Sequence, residues 1–536
     1  MIFQGGKNNI KKWNTLQHNG VMFSIYTPHN IPIVIKNKEI ILPPSIEEYA
    51  TIYAKYIDSD YNKQPQFKKN FWKDFKPMIS KMIDLNTQLS DISFDMIYNY
   101  IISMNEKKKL LTKEEKEKIK KDKEIEEEKY KYCTIDDNKI LISNFHIEPP
   151  GIFLGRGSNH PLLGRIKKRI YPEDITLNLS KDAPIPIPNI GGKWKKIVHD
   201  KEGVWIASWK DKLTEKTKYV YLSLESHFKS SSDTEKYNLA KKLKKKINYI
   251  REQYISQLTD VDNKIKQLAT SLYFIDNLAL RVGNKKNTKK SSDTVGVSSL
   301  RVEHILLLPD NQIKLDFLGK DCVRYIKKIK VLPEVYNNLE LFTKNKSKKE
   351  LIFNLINPIQ INDYLTSFMP NLTSKVWRTF NASYVFQKEL DKVKEDMIKN
   401  MTNSEKINYL VGIFYQANAQ VALLCNHQKK ISATCNSTLS NMENKIKELK
   451  LKKKKYIEEK KNTKPLDQKI KELKFKLETK TKMKNVALNT SKDNYIDPRI
   501  IFAFIKKFDV SPEKFFSKKS LSRFYWASSI DSNYRF

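Results

Sequence analysis

Residues 311–331 have the sequence NQIKLDFLGKDCVRYIKKIKV, in which two runs of alternating apolar and polar residues flank Leu318-Gly319-Lys320-Asp321. Alternation with a period of two is typical of β-strands, and a short glycine-containing segment between two such runs predicts a β-hairpin. We therefore expect two antiparallel strands with Lys320 at the tip of the hairpin.

The hairpin interrupts a stretch, about residues 227–430, whose apolar spacing is mainly helical. A long helical run opens near Ser231 and carries AKKLKKKINYIREQY. Upstream, residues 1–103 combine strand-like runs such as VMFSIY with helical ones such as SIEEYATIYAKYI, and strand-like VWIASW and YVYLSL follow later. The mixture predicts an α+β protein with a domain boundary near residue 226.

Residues 104–132 are almost entirely charged, with acidic and basic side chains spaced to pair at i,i+4. This pattern is typical of a solvated helix on the protein surface. We interpret the segment as a spacer rather than a ligand-binding element.

A second charged zone, residues 441–484, contains 17 Lys against 7 acidic residues. Its apolar residues recur at helical spacing on both sides of a break at Lys464-Pro465, which predicts two antiparallel helices that protrude from the body. Their Lys-rich face would follow phosphates, or the pair would be a solvated coiled coil that tethers two functional parts; the two interpretations are compatible. The last 52 residues are too few for an independent core and are expected to pack on the main body.

The charge balance points to a polyanionic partner. The 536 residues include 99 Lys and Arg against 61 Asp and Glu, a formal net charge of +38. Nucleic acid or an anionic membrane surface would satisfy that charge. The apolar runs are shorter than the roughly 18 residues that span a bilayer, and the N-terminus lacks the apolar core of a signal peptide. We therefore expect no membrane association and no secretion.

Several motifs of nucleic-acid enzymes are absent from the sequence. It contains no GxxxxGK[ST] loop and no HExxH, and the acidic residues concentrate in the charged helices rather than at strand ends. The four cysteines form no CxxC pair, so neither a zinc finger nor a disulfide framework is predicted. Any cleavage of nucleic acid would then be metal-free, and it would need a side-chain nucleophile, cations for the phosphate oxygens and an acid for the leaving group.

Five local segments hold residue types suited to that chemistry: LALRVGNK, the hairpin tip, KVWRTFNAS, LLCNHQ and TSKDNYIDPR. In a chain with 99 cationic residues and 26 tyrosines, each segment taken alone also fits an ordinary surface or core role. Composition and spacing by themselves indicate only a basic, multidomain, nucleic-acid-binding protein.

Seven strings resemble, in content and order, the signature segments of eukaryotic type IB DNA topoisomerases: PPGIFLGRGSNHP, YFIDNLALRVGN, DTVGVSSLRVEHI, LDFLGKD, VWRTFNAS, LCNHQ and NTSKDNYIDPR. The family cuts one strand of duplex DNA, lets the other end rotate and religates, without ATP, metal or another cofactor. The resemblance implies a nuclear, monomeric enzyme that relaxes supercoiled DNA of largely any sequence.

The resemblance also implies a fold. It is a bilobed α+β clamp with an α+β cap lobe at 1–226, a mainly helical, tyrosine-recombinase-like catalytic lobe at 227–430, a helical-hairpin linker at 431–484 and a small segment at 485–536 that carries the nucleophile.

Residue roles follow from the same resemblance. Tyr495 would form a 3′-phosphotyrosine, Arg281 and Arg378 would hold the scissile phosphate, His427 would donate a hydrogen bond to it, and Lys320 would protonate the leaving 5′-oxygen. The chemistry agrees, because a phenol with a pKa of about 10 needs either nearby positive charge to stabilise the phenolate or a base to remove its proton at neutral pH.

Further residues are expected to touch DNA or a drug bound at the nick. The DNA-binding candidates are Arg156, His160, Arg165, Lys167, Lys168, Arg169, Lys241, Lys242, Asn284 and Asn426. The candidates for a site of camptothecin-type drugs are Asn494, Asp321 and Arg156. Between 156 and 170 the sequence has no acidic residue, which favours phosphate contacts there.

The sequence departs from the family at the presumed lips of the clamp. Some members have a Lys after the His-Pro pair and an acidic residue in the loop after the first catalytic Arg, and a salt bridge joins them. Here Leu162 occupies the first position and the loop is NKKNTKKSSD. We expect the clamp either to open more readily or to close by other contacts.

Two alternatives stay open. A tyrosine recombinase uses a similar set of Arg, Lys, His and Tyr but assembles oligomers on defined sites, and the first 226 residues and the separate linker argue against it. A catalytically silent DNA-binding clamp would apply if Tyr495 or the Arg pair were misplaced.

Overall fold

The computed structural model describes residues 11–157, 160–288, 290–429 and 431–536. The chain divides into two units, one formed by Met1–Lys229 with Asn287–Ser292, the other by Ser230–Lys286 with Asp293–Phe536. Both helices and strands are present, so the predicted α+β class is confirmed. In the described part of the chain, no helix is both long and apolar enough to cross a bilayer.

The described residues of the first unit form short strands and four α-helices, besides the start of a longer helix near its boundary. The strands are β1 (Leu16–His18), β2 (Ile33–Ile35), β3 (Lys38–Ile40), β4 (Ile92–Ser93), β5 (Tyr132–Ile135), β6 (Asn138–Leu141), β7 (Gly151–Ile152), β8 (Ile166–Lys167), β9 (Ile175–Asn178), β10 (Lys196–Val198), β11 (Trp205–Lys210) and β12 (Thr217–Tyr221). The helices are α1 (Pro44–Ala54), α2 (Pro65–Phe75), α3 (Asp95–Leu110) and α4 (Lys113–Glu128).

These strands form four small sheets, with the orders β1-β5-β6, β3-β2-β4, β10-β9-β11-β12 and the pair β7-β8. All pairs are antiparallel except β10 with β9. One core lies around Trp13 and the sheets of β1 and β9, and a second lies around the aromatic face of α2. In the second core, the rings of Tyr53 and Phe71 stack with centroids 4.0 Å apart, which joins α1 to α2.

The charged segment 104–132 differs from its prediction as one helix. α3 ends at Leu110 and α4 begins at Lys113, because Thr112 caps the new helix by accepting a hydrogen bond from the Glu115 amide. α4 has no buried residue, in line with the predicted solvated surface.

Segment 287–292 belongs to the first unit although it follows a helix of the second. Lys290 Nζ lies 2.8 Å from a Glu215 carboxylate oxygen, and Ser292 Oγ donates to the Arg156 carbonyl at 3.1 Å. These two contacts hold the segment within the first unit.

His18 is buried within the first unit as a neutral imidazole. Its Nδ1 accepts a hydrogen bond from the Gly20 amide at 3.0 Å, and its Nε2 donates to the Asn178 carbonyl at 2.9 Å. Burial lowers the pKa of His18 from 6.5 to about 4, against a smaller opposite effect of the bond to Asn178. A second ring proton would also break the bond from Gly20.

We expect His18 to make this unit sensitive to acid. Below pH 6.5 the unfolded chain binds a proton that the folded chain refuses until about pH 4, so stability falls across that window. The difference in the free energy of unfolding between wild type and His18→Gln should shrink by about 2–3 kcal/mol between pH 7.5 and 4.5. Urea titrations at both pH values measure it, and a constant difference would contradict the assignment.

The second unit is mainly helical. Its helices are α5 (His227–Ser256, which begins in the first unit), α6 (Asn263–Leu278), α7 (Pro333–Thr343), α8 (Pro358–Phe368), α9 (Ser374–Leu390), α10 (Asn403–Leu424), α11 (Ala433–Glu458), α12 (Lys464–Met483), α13 (Leu488–Asn494), α14 (Pro498–Phe508) and α15 (Lys518–Arg523). Its strands are β13 (Ile305–Leu308), β14 (Gln312–Leu318) and β15 (Arg324–Lys330).

The predicted hairpin is confirmed, because β14 and β15 pair antiparallel from Gln312 opposite Lys330 to Leu318 opposite Arg324. Lys320 lies in the connecting turn. The sequence did not predict β13. This strand pairs with β14 along the edge opposite β15 and completes a three-stranded sheet. Ile313, Leu315 and Phe317 of β14 alternate into the core of this unit, as the period of two requires.

The second charged zone forms the expected helical hairpin of α11 and α12, which are joined by Lys453 Nζ at the Asp467 carboxylate. Pro465 lies in the first turn of α12, where its missing amide costs nothing. The hairpin does not simply protrude, however, since α12 packs along α10. The ring of Phe475 lies 5.3 Å from that of Tyr409, and a Cβ on Gly412 would overlap the Phe475 ring.

We expect the Gly412–Phe475 contact to hold α12 on α10. Gly412→Leu should cost about 1–3 kcal/mol of unfolding free energy because the new side chain has no space beside Phe475. In a Phe475→Ala background the same change should be neutral or stabilising, since leucine favours a helix over glycine. A double-mutant cycle in urea measures the coupling, and equal costs in both backgrounds would show that the two residues act independently.

Candidate active site

Five side chains with the chemistry predicted from sequence come from five separate elements of the second unit. Arg281 follows α6, Lys320 lies between β14 and β15, Arg378 is on α9, His427 follows α10 and Tyr495 ends α13.

Tight backbone packing fixes the segment that carries Arg281. α6 ends at Ala279 in the left-handed conformation, with φ at 49°, and the Arg281 carbonyl accepts the Val297 amide at 2.8 Å. Gly283 has φ at 82°, and a Cβ there would lie 2.6 Å from the Gly296 Cα. The two glycines let the backbone segments on either side of this turn approach closely, so the backbone that carries the Arg281 side chain is rigid.

Arg378 is buried, with 3% of its surface exposed. Its NH1 donates to the Ala279 carbonyl, its NH2 donates to the Cys425 carbonyl at 3.3 Å, and its Nε has no hydrogen-bond partner among the described residues. These partners are neutral, and no ion pair of Arg378 is found within the described ranges. A buried guanidinium without a carboxylate favours the binding of an anion.

Trp377, the residue before Arg378, contacts a buried carboxylate that orients α9. Asp276 accepts hydrogen bonds from the Trp377 indole at 3.1 Å, from Tyr254 at 2.9 Å and from the Arg251 guanidinium at 2.8 Å. Its charge is thus compensated by Arg251, and its contact with Trp377 holds the helix that presents Arg378.

His427 lies in the turn after α10, where its amide donates to the Ala422 carbonyl at 2.8 Å and its carbonyl accepts the Ala487 amide at 2.7 Å. Burial, and then the charges of Arg378, Arg281 and Lys320, lower its pKa from 6.5 to about 3. The ring is therefore neutral at physiological pH. Its ring stacks on that of Tyr495, with centroids 5.5 Å apart and an angle of 28°.

Tyr495 is buried at the end of α13, and its backbone is fixed from both sides. Its amide donates to the Ser491 carbonyl at 2.9 Å, and its carbonyl accepts the Ser383 hydroxyl at 3.2 Å. The guanidinium carbons of Arg378 and Arg281 lie 5.1 and 5.7 Å from the centre of its ring.

The electrostatics of the phenol follow from those neighbours. Burial alone would raise the pKa of Tyr495, but the charges of Arg378 and Arg281 outweigh it, so the pKa is lowered from 10. Phenolate is the nucleophilic form of tyrosine, and the two guanidinium groups stabilise it. The structure thus brings together a phenol of lowered pKa and two guanidinium groups beside its ring.

Lys320 lies in a turn whose next two residues, Asp321 and Cys322, have φ values of 67° and 60°. Its charge contributes to the lowered pKa of His427, which places Lys320 within electrostatic reach of that ring. The Asn426 side-chain amide contacts the Arg324 carbonyl at 3.5 Å, so the His427 turn lies beside the start of β15.

The described residues do not form a metal-binding cluster. Across the described ranges, no three His, Cys, Asp or Glu side chains cluster in a way that would hold a metal ion.

The basic segment 165–169 is not a row of free cations. Arg165 Nε lies 2.6 Å from Asp74, Lys167 pairs with Glu148, and Arg169 Nε lies 3.1 Å from Glu48. The sequence showed no acidic residue nearby because the three acids come from distant segments. Lys168 forms no ion pair with any of the described residues.

The remaining DNA-binding candidates differ in exposure. Lys241 packs over the Tyr534 ring at 3.9 Å, and burial lowers its pKa, whereas Lys242 and Asn284 are exposed. His160 is buried, and its Nδ1 accepts the Leu162 amide at 3.1 Å. Asn426 has φ at 54° in the turn before His427.

Of the drug-site candidates, Asn494 and Asp321 belong to the second unit and Arg156 to the first. Asn494 directly precedes Tyr495, and its side-chain amide donates to the Thr490 carbonyl at 3.0 Å. Asp321 directly follows Lys320.

Comparison with known proteins accounts for nearly the whole chain. Family models match residues 225–460 (eukaryotic DNA topoisomerase I, catalytic core), 11–222 (eukaryotic DNA topoisomerase I, DNA binding fragment) and 467–536 (C-terminal topoisomerase domain). DNA topoisomerase 1 of Homo sapiens is 38% identical over 558 residues, covering 98% of this chain and 72% of that protein. The Caenorhabditis elegans protein of that name is 39% identical, and the chain covers 68% of it.

The family models and the named relatives agree on one family. The chain belongs to the eukaryotic DNA topoisomerase I family, which confirms the family predicted from the seven sequence strings. The chain spans about three fifths of the length of a further relative, DNA topoisomerase 1 beta of Arabidopsis thaliana, at 39% identity.

We expect the phenol of Tyr495 to report the loss of either guanidinium. Arg378→Gln should raise the pKa of Tyr495, because burial then acts with less opposing charge. The measurement is the alkaline absorbance titration of each protein minus that of its Tyr495→Phe counterpart. Lys464→Gln, which removes an exposed charge from α12, is the control, and an equal pKa in Arg378→Gln and the control would contradict the account.

Proposed function

We propose that the protein relaxes positively and negatively supercoiled duplex DNA by cutting and resealing one strand through Tyr495. The observation that carries this proposal is the buried Tyr495 phenol. Arg378 and Arg281 lower its pKa, and its ring stacks on that of the neutral His427. Membership of the topoisomerase I family supports it.

In the proposed cleavage step Tyr495 loses its phenolic proton to solvent, its oxygen attacks phosphorus, and the bond from phosphorus to the 5′-oxygen breaks. The phosphate becomes a 3′-phosphotyrosine ester, and Lys320 gives its proton to the departing 5′-oxygen. Arg281 and Arg378 stabilise the charge on the non-bridging oxygens, since a guanidinium stays charged and donates two bonds to one phosphate. His427 donates one more hydrogen bond.

Religation reverses these bonds, with the 5′-hydroxyl as the nucleophile and Tyr495 as the leaving group. The energy of the phosphodiester is kept in the tyrosine ester, so the cycle needs no ATP. Torsional stress already stored in the DNA drives the rotation between the two steps. In this proposal no cofactor or metal takes part in the bond-making steps.

The wider organisation is proposed with this chemistry. Segments 1–226, 227–430, 431–484 and 485–536 would serve as cap lobe, catalytic lobe, linker and nucleophile-bearing segment of a monomeric nuclear clamp around DNA. The net charge of +38 suits sequence-independent phosphate contacts, for which the exposed Lys242 is one candidate. Asn494, Asp321 and Arg156 are the proposed contacts of a camptothecin-type drug.

A tyrosine recombinase would use the same five groups, and a silent clamp would use none of them chemically. A covalent protein–DNA adduct excludes the silent clamp. Relaxation of plasmid without a defined site, by a monomer, excludes the recombinase.

We expect the protein to relax plasmids of both supercoil signs in EDTA without ATP, and Tyr495→Phe to bind DNA without nicking it. Arg281→Ala, Arg378→Ala and Lys320→Ala should each slow cleavage by about 100-fold or more, as loss of preorganised electrostatic groups does elsewhere. Plasmid relaxation is followed on agarose gels, and single-turnover cleavage is measured on a duplex oligonucleotide that carries a nick beside the cleavage site. Tyr525→Phe, which alters an exposed tyrosine, is the matched control; relaxation by Tyr495→Phe would refute the proposal.

A further inference from the structure

The two ring nitrogens of His427 have different surroundings. Nδ1 lies 2.7 Å from the hydroxyl oxygen of Ser491. Nε2 is buried and has no hydrogen-bond partner within the part of the chain that the structure describes. An unpartnered buried nitrogen in a cationic site calls for an explanation.

The protonation state of the ring decides what Nε2 offers. Burial and the neighbouring cations lower the pKa of His427 to about 3, so the ring is neutral at working pH and carries one N–H. That hydrogen is on either Nδ1 or Nε2, and the partner of the other nitrogen selects the tautomer.

The Ser491 hydroxyl selects it. Ser491 is fully buried, and His427 Nδ1 is the one hydrogen-bond partner of its hydroxyl among the described residues. If Nδ1 carried the hydrogen, the serine hydrogen would be buried without an acceptor, at a cost of about 1–3 kcal/mol. The hydroxyl therefore donates to Nδ1, and Nε2 carries the N–H.

We propose that Ser491 is a positioning residue that holds His427 in the Nε2–H tautomer, so that Nε2 donates to a non-bridging oxygen of the scissile phosphate. This inference rests on the proposed function, because the phosphate is its substrate. An N–H suits an anion, whereas the bare nitrogen of the other tautomer would repel it.

Ser491 also ties this donor to the nucleophile. Its carbonyl accepts the Tyr495 amide at 2.9 Å, and its hydroxyl bonds His427 of a different segment. The packing of α13 beside the turn after α10 therefore both positions the Tyr495 phenol and selects the tautomer of His427.

The kinetic test is a double-mutant cycle in single-turnover cleavage. Ser491→Ala should slow cleavage about 10–100-fold, by analogy with the loss of a partner that orients a metal-bound histidine, with unchanged affinity for DNA. In a His427→Ala background the same change should have no further effect. Ser491→Thr, which keeps the hydroxyl, should restore most of the rate.

Ser271→Ala is the matched control, because Ser271 is also a fully buried helix serine but bonds the Leu268 carbonyl of its own helix. Thermal unfolding of both alanine variants shows whether a slow rate reflects misfolding. A Ser491→Ala protein that cleaves at the wild-type rate, or that is slowed equally without His427, would overturn the inference.

A second measurement does not depend on catalysis. In DNA-free protein with ¹⁵N-labelled histidine, the His427 signals, assigned by their loss in His427→Ala, should show a protonated Nε2 and an unprotonated Nδ1. Ser491→Ala should alter this pattern, and Ser271→Ala should not. A protonated Nδ1 in wild type would refute the inference, whereas lack of an adduct at Tyr495 with the expected signals would refute the proposed function alone.

Discussion

A buried positive charge that is held by backbone carbonyls, with no other hydrogen-bond partner among the described residues, is the constraint on which the site depends. The Arg378 guanidinium contacts the carbonyls of Ala279 and Cys425, which end two different helices. Desolvation of a charge costs several kcal/mol unless an opposite charge compensates it. Both helix ends and α9 must therefore be in place before the guanidinium is satisfied, and its uncompensated field then lowers the pKa of the Tyr495 phenol.

Local patterns in the sequence predicted the elements but not their docking. The alternation around Lys320 and the proline at 465 are properties of short segments, so the strand hairpin and the helical hairpin were predicted correctly. The packing of α12 on α10 depends on Gly412 meeting Phe475, 63 positions later, and no periodicity encodes such a pair. The break at Thr112 was missed because a uniformly charged run conceals a cap.

The candidate site shows the same division. Its side chains come from segments between Arg281 and Tyr495 that no spacing rule brings together, and the family resemblance supplied the set. Which groups act on which could only come from three-dimensional contacts. Ser491 is an ordinary helix serine in the sequence, and its bond to His427 becomes visible only when α13 lies beside the turn after α10.

The paired cations of the first unit have a consequence for salt. Arg165, Lys167 and Arg169 hold carboxylates tethered to the same protein, so each already has a counterion that cannot diffuse away. A polyanion that binds there exchanges one fixed partner for another and displaces fewer mobile ions than a free lysine row would. The slope of the logarithm of affinity against the logarithm of salt concentration would then indicate fewer contacts than the number of cations that touch the polyanion.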